Sequence, residues 1–222
     1  MCQRLRQEAG LSGSGPVSVL SQTGEMKRIV DWILSADEDI QNLHKTWRFL
    51  KTSFSFPTIY NTQSYTPAAV SLTDLATWIT HYGEDNAISL YSSAADESFL
   101  QYVPWEDFRP SYMIGSSRTT LERPSIVTVK PDNSLALWPL PNAVFTVSGE
   151  YYKTAQAMTV NASAPLYPSR FHMAAVWKGL MHYGAYAAAN EKYAHGNNEY
   201  KKLIAQLEFA ELEELHYGEP LA

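Results

Sequence analysis

The stretch from Ser134 to Tyr193 places the tightest limits on what this chain can become. Two apolar runs open it, Leu135-Ala136-Leu137-Trp138-Pro139-Leu140 and Val144-Phe145-Thr146-Val147, joined by Pro141-Asn142. The second run alternates apolar and small polar residues up to Glu150-Tyr151-Tyr152, the pattern of a half-buried antiparallel strand. Pro139 and Pro141 have no N–H to give a ladder, so they are expected to close the first strand and form the turn. Pro165-Leu166-Tyr167-Pro168-Ser169 then leads into a long helix expected from about Arg170 to Tyr193. Met173, Val176, Trp177, Leu180, Tyr183, Gly184 and Ala187 make its apolar face. Small residues, among them Ala174, Ala175, Gly179, Gly184 and Ala188, spread around most of that helix. They let backbones approach closely, and these five are candidates for a subunit interface.

The rest of the chain frames that stretch. Cys2 to Ala9 reads as a short helix capped by Gly10. The Gly-Ser loop Leu11 to Pro16 fits neither GxGxxG nor GxxxxGK[ST], and is a connection rather than a phosphate cradle. Ser21 or Thr23 caps a helix predicted over 24–49, striped by Met26, Ile29, Val30, Ile33, Leu34, Ile40, Leu43, Trp47 and Leu50. Asp31, Glu38, Asp39, Gln41 and Lys45 lie on its polar face. From Thr52 the period becomes two, with Phe54, Phe56, Ile59, Tyr60 and Tyr65 in an expected hairpin punctuated by Pro57 and Pro67. Further strands are predicted at Leu75 to Ile79, Ala87 to Tyr91 and Pro124 to Val129, with a short helix from Pro104 to Met113. The last helix is expected to break at His195-Gly196-Asn197-Asn198 and resume with Tyr200, Leu203, Ile204 and Leu207. The fold class is therefore α+β: a helical bundle of the N- and C-terminal helices, 1–52 and 166–222, with an antiparallel β domain, 53–165, inserted. Ile33, Leu34, Ile40 and Trp47 are expected to face Met173, Val176, Trp177 and Leu180.

Chemistry has little purchase on this sequence. With 45% hydrophobic and 13% aromatic residues the chain packs rather than stays disordered. A formal charge of −6 argues against a DNA-gripping surface but suits a channel wall that DNA slides past. Cys2 is the sole cysteine, which excludes an intrachain disulfide and a cysteine-rich zinc site. Gln3 to Glu8 lacks the apolar core of a signal peptide, and no apolar run approaches the ~20 residues that span a bilayer. Folding in a reducing cytoplasm is the expectation. None of the six histidines belongs to an HExxH motif, and no GxSxG elbow occurs. The carboxylate groups Asp37/Glu38/Asp39, Glu106/Asp107 and Glu211/Glu213/Glu214 sit in polar runs and read as solvated helix surface. Tyr91, Tyr102, Trp105, Tyr112 and Trp138 suit a sugar groove in type, but their spacing is that of strand core. No catalytic residue, metal ligand or cofactor site is predicted.

Helix, Gly-rich loop and an amphipathic helix ending in Trp47-Arg48-Phe49-Leu50 are followed by a β region carrying Leu135-Ala136-Leu137-Trp138-Pro139-Leu140-Pro141. A strand ending in Tyr151-Tyr152 and a proline-tyrosine entry then lead to a long helix. In this order the chain resembles the head-to-tail adaptor (connector, or head completion) proteins of tailed bacteriophages, from Ala9 to about Leu212. The resemblance implies a virion structural protein and no enzyme. It implies a ring, usually of twelve copies, beneath the portal protein at the head–tail interface, assembled in the host bacterial cytoplasm. Such a ring extends the DNA channel without reading DNA sequence, docks the tail (nozzle or tail-completion) protein and involves no membrane. The region between Tyr65 and Pro124 departs from shorter members of that family. An alternative is a phage receptor- or glycan-binding module built on the β region. The C-terminal segment is too acidic to pack in its own core yet retains Leu212, Leu215, Tyr217, Pro220 and Leu221, which are candidates for docking on the portal.

Overall fold

The computed structural model describes residues 1–212, with helices α1 (Cys2–Ala9), α2 (Gly24–Asn42), α3 (Trp105–Tyr112), α4 (Met173–Tyr186) and α5 (Asn190–Glu211). Its strands are β1 (Lys51–Pro57), β2 (Ser64–Tyr65), β3 (Leu75–Trp78), β4 (His81–Tyr82), β5 (Asp85–Asn86), β6 (Ser89–Tyr91) and β7 (Ser98–Phe99). They continue with β8 (Gln101–Tyr102), β9 (Leu121–Glu122), β10 (Ile126–Val129), β11 (Leu135–Trp138), β12 (Leu140–Pro141) and β13 (Thr146–Lys153). Met1–Leu50 and residues 155–212 form one compact unit, and Lys51–Thr154 a second. The chain re-enters the helical unit at Ala155, earlier than the expected 166, because Gln156 and Met158 already pack among the helices.

In the helical unit α4 packs against α1, α2 and α5. Its Val176 and Leu180 share a core with Leu5 and Ala9 of α1, Ile29 and Ile33 of α2, and Met158. Gly10 ends α1 in the left-handed region at φ 78°, where glycine avoids the Cβ penalty. α2 is shorter than predicted: it stops at Asn42, and Leu43 turns out to solvent. Trp47 is fully buried beyond that end, its indole N–H donating to the Ile40 carbonyl at 3.1 Å. The indole thus adds a second hydrogen bond to a last-turn carbonyl that also accepts the Leu43 N–H at 3.3 Å.

The C-terminal helix is two helices, and the break falls at Ala187–Ala189, ahead of the predicted His195 to Asn198. Ala188 adopts φ 52°, and the Ala189 N–H donates to the Gly184 carbonyl at 2.9 Å. Gly196 lies inside α5, where an added Cβ would come within 2.9 Å of the Trp177 carbonyl oxygen. A glycine that resembles a helix breaker in sequence is instead the point of closest approach between two helices.

In the second unit β13 is the shared strand. β1 pairs with it antiparallel from Lys51↔Tyr152 to Pro57↔Thr146, while β6 and β3 pair along its other edge. The hairpin expected after Thr52 does not form, because β1 takes β13 as its partner and β2 joins β11 in another sheet. That second sheet has the order β2-β11-β10-β8. The two apolar runs Leu135–Trp138 and Thr146–Lys153 thus belong to different sheets. The β region is also not wholly antiparallel, since β8 pairs with β10, and β9 with β12, in parallel. Pro141 sits in the β9–β12 ladder rather than in a turn, at a position where no N–H is needed. Phe54, Phe56 and Val147 of one sheet and Val127, Leu135 and Leu137 of the other form a single core.

Trp47→Ala is expected to lower the unfolding free energy by about 3–5 kcal/mol, as for other buried tryptophans. Trp177→Ala should cost less, since Trp177 is only partly buried, edge-on to His195. Urea unfolding of both variants checks the order.

Candidate functional site

The five small residues proposed for a subunit interface are placed as follows. Ala174 and Ala175 are fully buried among the chain's own helices. A Cβ on Gly179 would meet Leu5 and Ile33 side chains at 3.2 and 3.3 Å, and one on Gly184 would meet the Tyr193 backbone nitrogen at 2.7 Å. Their close approach is to α1, α2 and α5 of the same chain, so these four offer no surface to a neighbour. Ala188 is exposed at the α4–α5 turn. Of the portal-docking candidates, Leu212 follows the end of α5 in extended backbone and is partly exposed. Leu215, Tyr217, Pro220 and Leu221 lie outside the described residues.

Surfaces that sequence periodicity does not pick out stand elsewhere. At one end of the β1–β13 pair, Ile59, Tyr60 and Val144 are all exposed. The segments carrying them are tied together by Thr58 N–H to the Phe145 carbonyl at 2.7 Å and Phe145 N–H to Thr58 Oγ1 at 2.9 Å. In the helical unit the 11–23 loop is held by Arg6, a buried guanidinium that donates to Glu25 Oε1 at 2.9 Å and to the Ser12 carbonyl. Asn161 Oδ1 accepts the Val19 N–H at 2.7 Å, so the sequon asparagine pins this loop. Between loop and helices runs a cleft of ≈ 270 Å³ lined by Val19, Val30, Ile33, Leu34, Met158 and Val160, among others.

A third surface lies beside α3. This helix and the 3-10 turn at Gly115–Thr119 cover β10 and β11, with Phe108 fully buried against Ile126 and Ala136. Tyr112 and Trp138 lie 4.5 Å apart, and the Trp138 indole N–H donates to the Ser117 carbonyl at 2.9 Å. Trp105 packs on the same cluster, its ring stacked 6.4 Å from Phe108, and also lines two adjoining clefts that share Arg109 and Ile114. Of the aromatics considered for a sugar groove, Tyr112 and Trp138 are therefore packing residues, and Tyr102 packs against the main β core with His81 5.1 Å away.

The electrostatics of the helical unit centre on Asp37 and Gln41, one turn apart on α2 and both buried, at 2% and 1% exposure. The polar face predicted for α2 thus contains an internal latch. Gln41 Nε2 donates to Asp37 Oδ2 at 2.8 Å and to the Gln156 carbonyl at 3.0 Å, and Gln41 Oε1 accepts the Gln156 N–H at 2.8 Å. Burial pushes the Asp37 carboxyl above its ordinary value, with the Tyr167 hydroxyl and Gln41 amide opposing the shift. Burial and the Asp37 carboxylate together push the Tyr167 phenol far up. No helix among the described residues is long and apolar enough to cross a membrane, and no group of three or more His, Cys, Asp or Glu among them is placed to hold a metal.

Exposed apolar tips and clefts that mix apolar with charged walls are the equipment of a protein that binds other macromolecules. Residues 1–220 match the family model of the SU10 adaptor protein. The chain belongs to that family, a family of phage head-to-tail adaptors, and is accordingly a structural component of a bacteriophage virion. No curated protein matches it significantly.

Gly184→Ala should push α5 away from α4 and cost about 1–3 kcal/mol, the usual range for overpacking. Wild-type stability for that variant in urea unfolding would refute the tight crossing. Asp37 has a raised folded-state pKa, so its stabilising contribution is complete below the unfolded value of about 3.9 and is lost as pH rises through the folded value. Asp37→Asn removes the buried charge and keeps an acceptor for Gln41. The variant should therefore be more stable than wild type at pH 7, with the difference shrinking towards pH 4. A difference independent of pH would sink this account.

Proposed function

We propose that this protein forms a ring beneath the portal, extends the DNA channel from the head and presents a docking surface to the tail nozzle or tail-completion protein. The observation that carries the reading is the family match across residues 1–220. The exposed surface supports it. Phe209 on α5 is 91% exposed, and Ile59, Tyr60 and Val144 stand together at one end of a sheet. Large apolar side chains left outside the core suit contacts made between subunits. In this reading the ring holds about twelve copies, the usual number for such adaptors, each built as a helical bundle with an inserted β domain. It is assembled in the host cytoplasm, and each chain serves by position rather than by chemistry. The formal charge of −6 fits a wall past which DNA moves without being gripped.

Mass photometry of the purified protein, with and without its portal, tests the proposal. Particles of ring mass that appear or are stabilised when portal is added are expected. A monomer that ignores portal and binds oligosaccharide would instead support a glycan-binding role for the β unit.

A further inference from the structure

The groove beside α3 is cationic in a chain of net negative charge. The Arg109 side chain makes no hydrogen bond or ion pair with any described residue. Arg118 directs Nε and Nη2 to the Met113 carbonyl at 3.2 and 3.1 Å and meets no described carboxylate. The less exposed guanidiniums are matched, Arg6 by Glu25 and Arg123 by Asp96. The exposed Arg28, Arg48 and Arg170 share with Arg109 and Arg118 the lack of a described carboxylate; what distinguishes the latter two is that they line one groove. Lys130, with its Nζ 5.9 Å from the Trp105 ring centroid, is already paired with Asp132 at 3.8 Å. Arg109 and Arg118 are therefore the groove's available cations, with Glu106 on one rim carrying the opposite charge. In the same wall the Gln63 side-chain nitrogen is buried without an acceptor. Trp105, Pro110 and the exposed Ile114 supply apolar surface between the charges. The occupant that fits is a segment in which carboxylates interleave with apolar side chains.

This chain carries such a segment. From Glu208 to Ala222 there are five glutamates and no lysine or arginine, and Leu212, Leu215, Tyr217 and Leu221 fall among them. α5 ends at Glu211, and the residues beyond it can extend about 35 Å. We propose that the groove beside α3 receives the acidic segment 213–222 of a second copy of this chain, linking subunits tail to groove. A contact of this kind joins two different surfaces, and it closes into a ring when the rotation per subunit allows. The inference rests on the ring reading above and moves the C-terminal segment from the portal to the neighbouring subunit. Opposed charges set the register of the segment, and closure of the ring multiplies a modest single contact.

The test uses a labelled peptide of residues 208–222 titrated by fluorescence anisotropy against protein truncated after Leu212. The expectation is binding that weakens with added salt and falls by at least about tenfold in Arg109→Glu/Arg118→Glu. It should recover when the peptide carries Glu213→Lys, Glu214→Lys and Glu219→Lys. Arg109→Glu alone is the safeguard variant, since Arg109 holds no part of the fold. In mass photometry with portal, the truncated protein and the double variant should both lose the ring. Equal peptide binding by wild type and Arg109→Glu overturns the groove assignment. Truncated protein that still forms rings but no longer joins portal overturns it too, and returns the segment to the portal. Full-length chains that stay monomeric with portal, while the peptide still shows the charge swap, overturn the ring reading instead.

Discussion

The second unit depends on β13 having partners along both edges. β1 occupies one edge over its whole length, and β6 and β3 share the other. Only in that arrangement do Phe54 of β1 and Trp78 of β3 meet, edge to face at 4.8 Å. Gly149 in the middle of β13 makes room for this, since a Cβ there would fall 3.0 Å from the Phe54 ring. A glycine weakens an isolated strand, and here the aromatic packing above it offsets the loss. The pairing of Lys51 with Tyr152 also joins the two ends of the unit. Everything between them becomes one long closed excursion, whose entropy the shared core must outweigh.

The helical unit solves a different problem, the anchoring of irregular segments. Arg6 and Gln41 are both buried polar side chains on helices, and each holds backbone that has no ladder of its own. Burying a polar group costs least when it is hydrogen-bonded, and here Arg6 and Gln41 bond backbone groups of neighbouring loop. Of the two side chains only the Arg6 Nε is left without a described partner. Gln41 grips Gln156 on both its N–H and its carbonyl, as a strand neighbour would. In the β unit Arg123 plays the equivalent part. It pairs with Asp96 at 2.7 Å, donates to the Leu90 carbonyl at 3.0 Å and lies over Phe145. Asp96 is held well below the carboxylate range, first by the Ser92 hydroxyl and then by the Ser93 backbone.

An adaptor acts through surfaces, and the surfaces here lie where secondary structure is shortest. Ile59 and Tyr60 follow the end of β1, Val144 precedes β13, and Ile114 sits between α3 and a 3-10 turn. Rigid sheet and helix position these tips, while the tips themselves remain free to vary in chemistry. The region between Tyr65 and Pro124 contains α3 and much of its groove.

The sequence by itself determined the helices at both ends, the strand running to Tyr151-Tyr152, the α+β class and the adaptor family. Each rests on local periodicity or on the order of motifs, which survive without knowledge of distant partners. Tertiary structure decided the rest. Whether β1 turns back on β2 or reaches β13 depends on aromatic residues about ninety positions away, and local turn signals point to the nearer partner. Small residues on α4 look alike whether they face a neighbour or the chain's own helices, and burial alone assigned Ala174, Ala175, Gly179 and Gly184 to the interior. Gly196 and Gln41 reversed their apparent roles for the same reason. A residue's chemistry is written locally, but what it touches is settled by which surfaces the folded chain brings together.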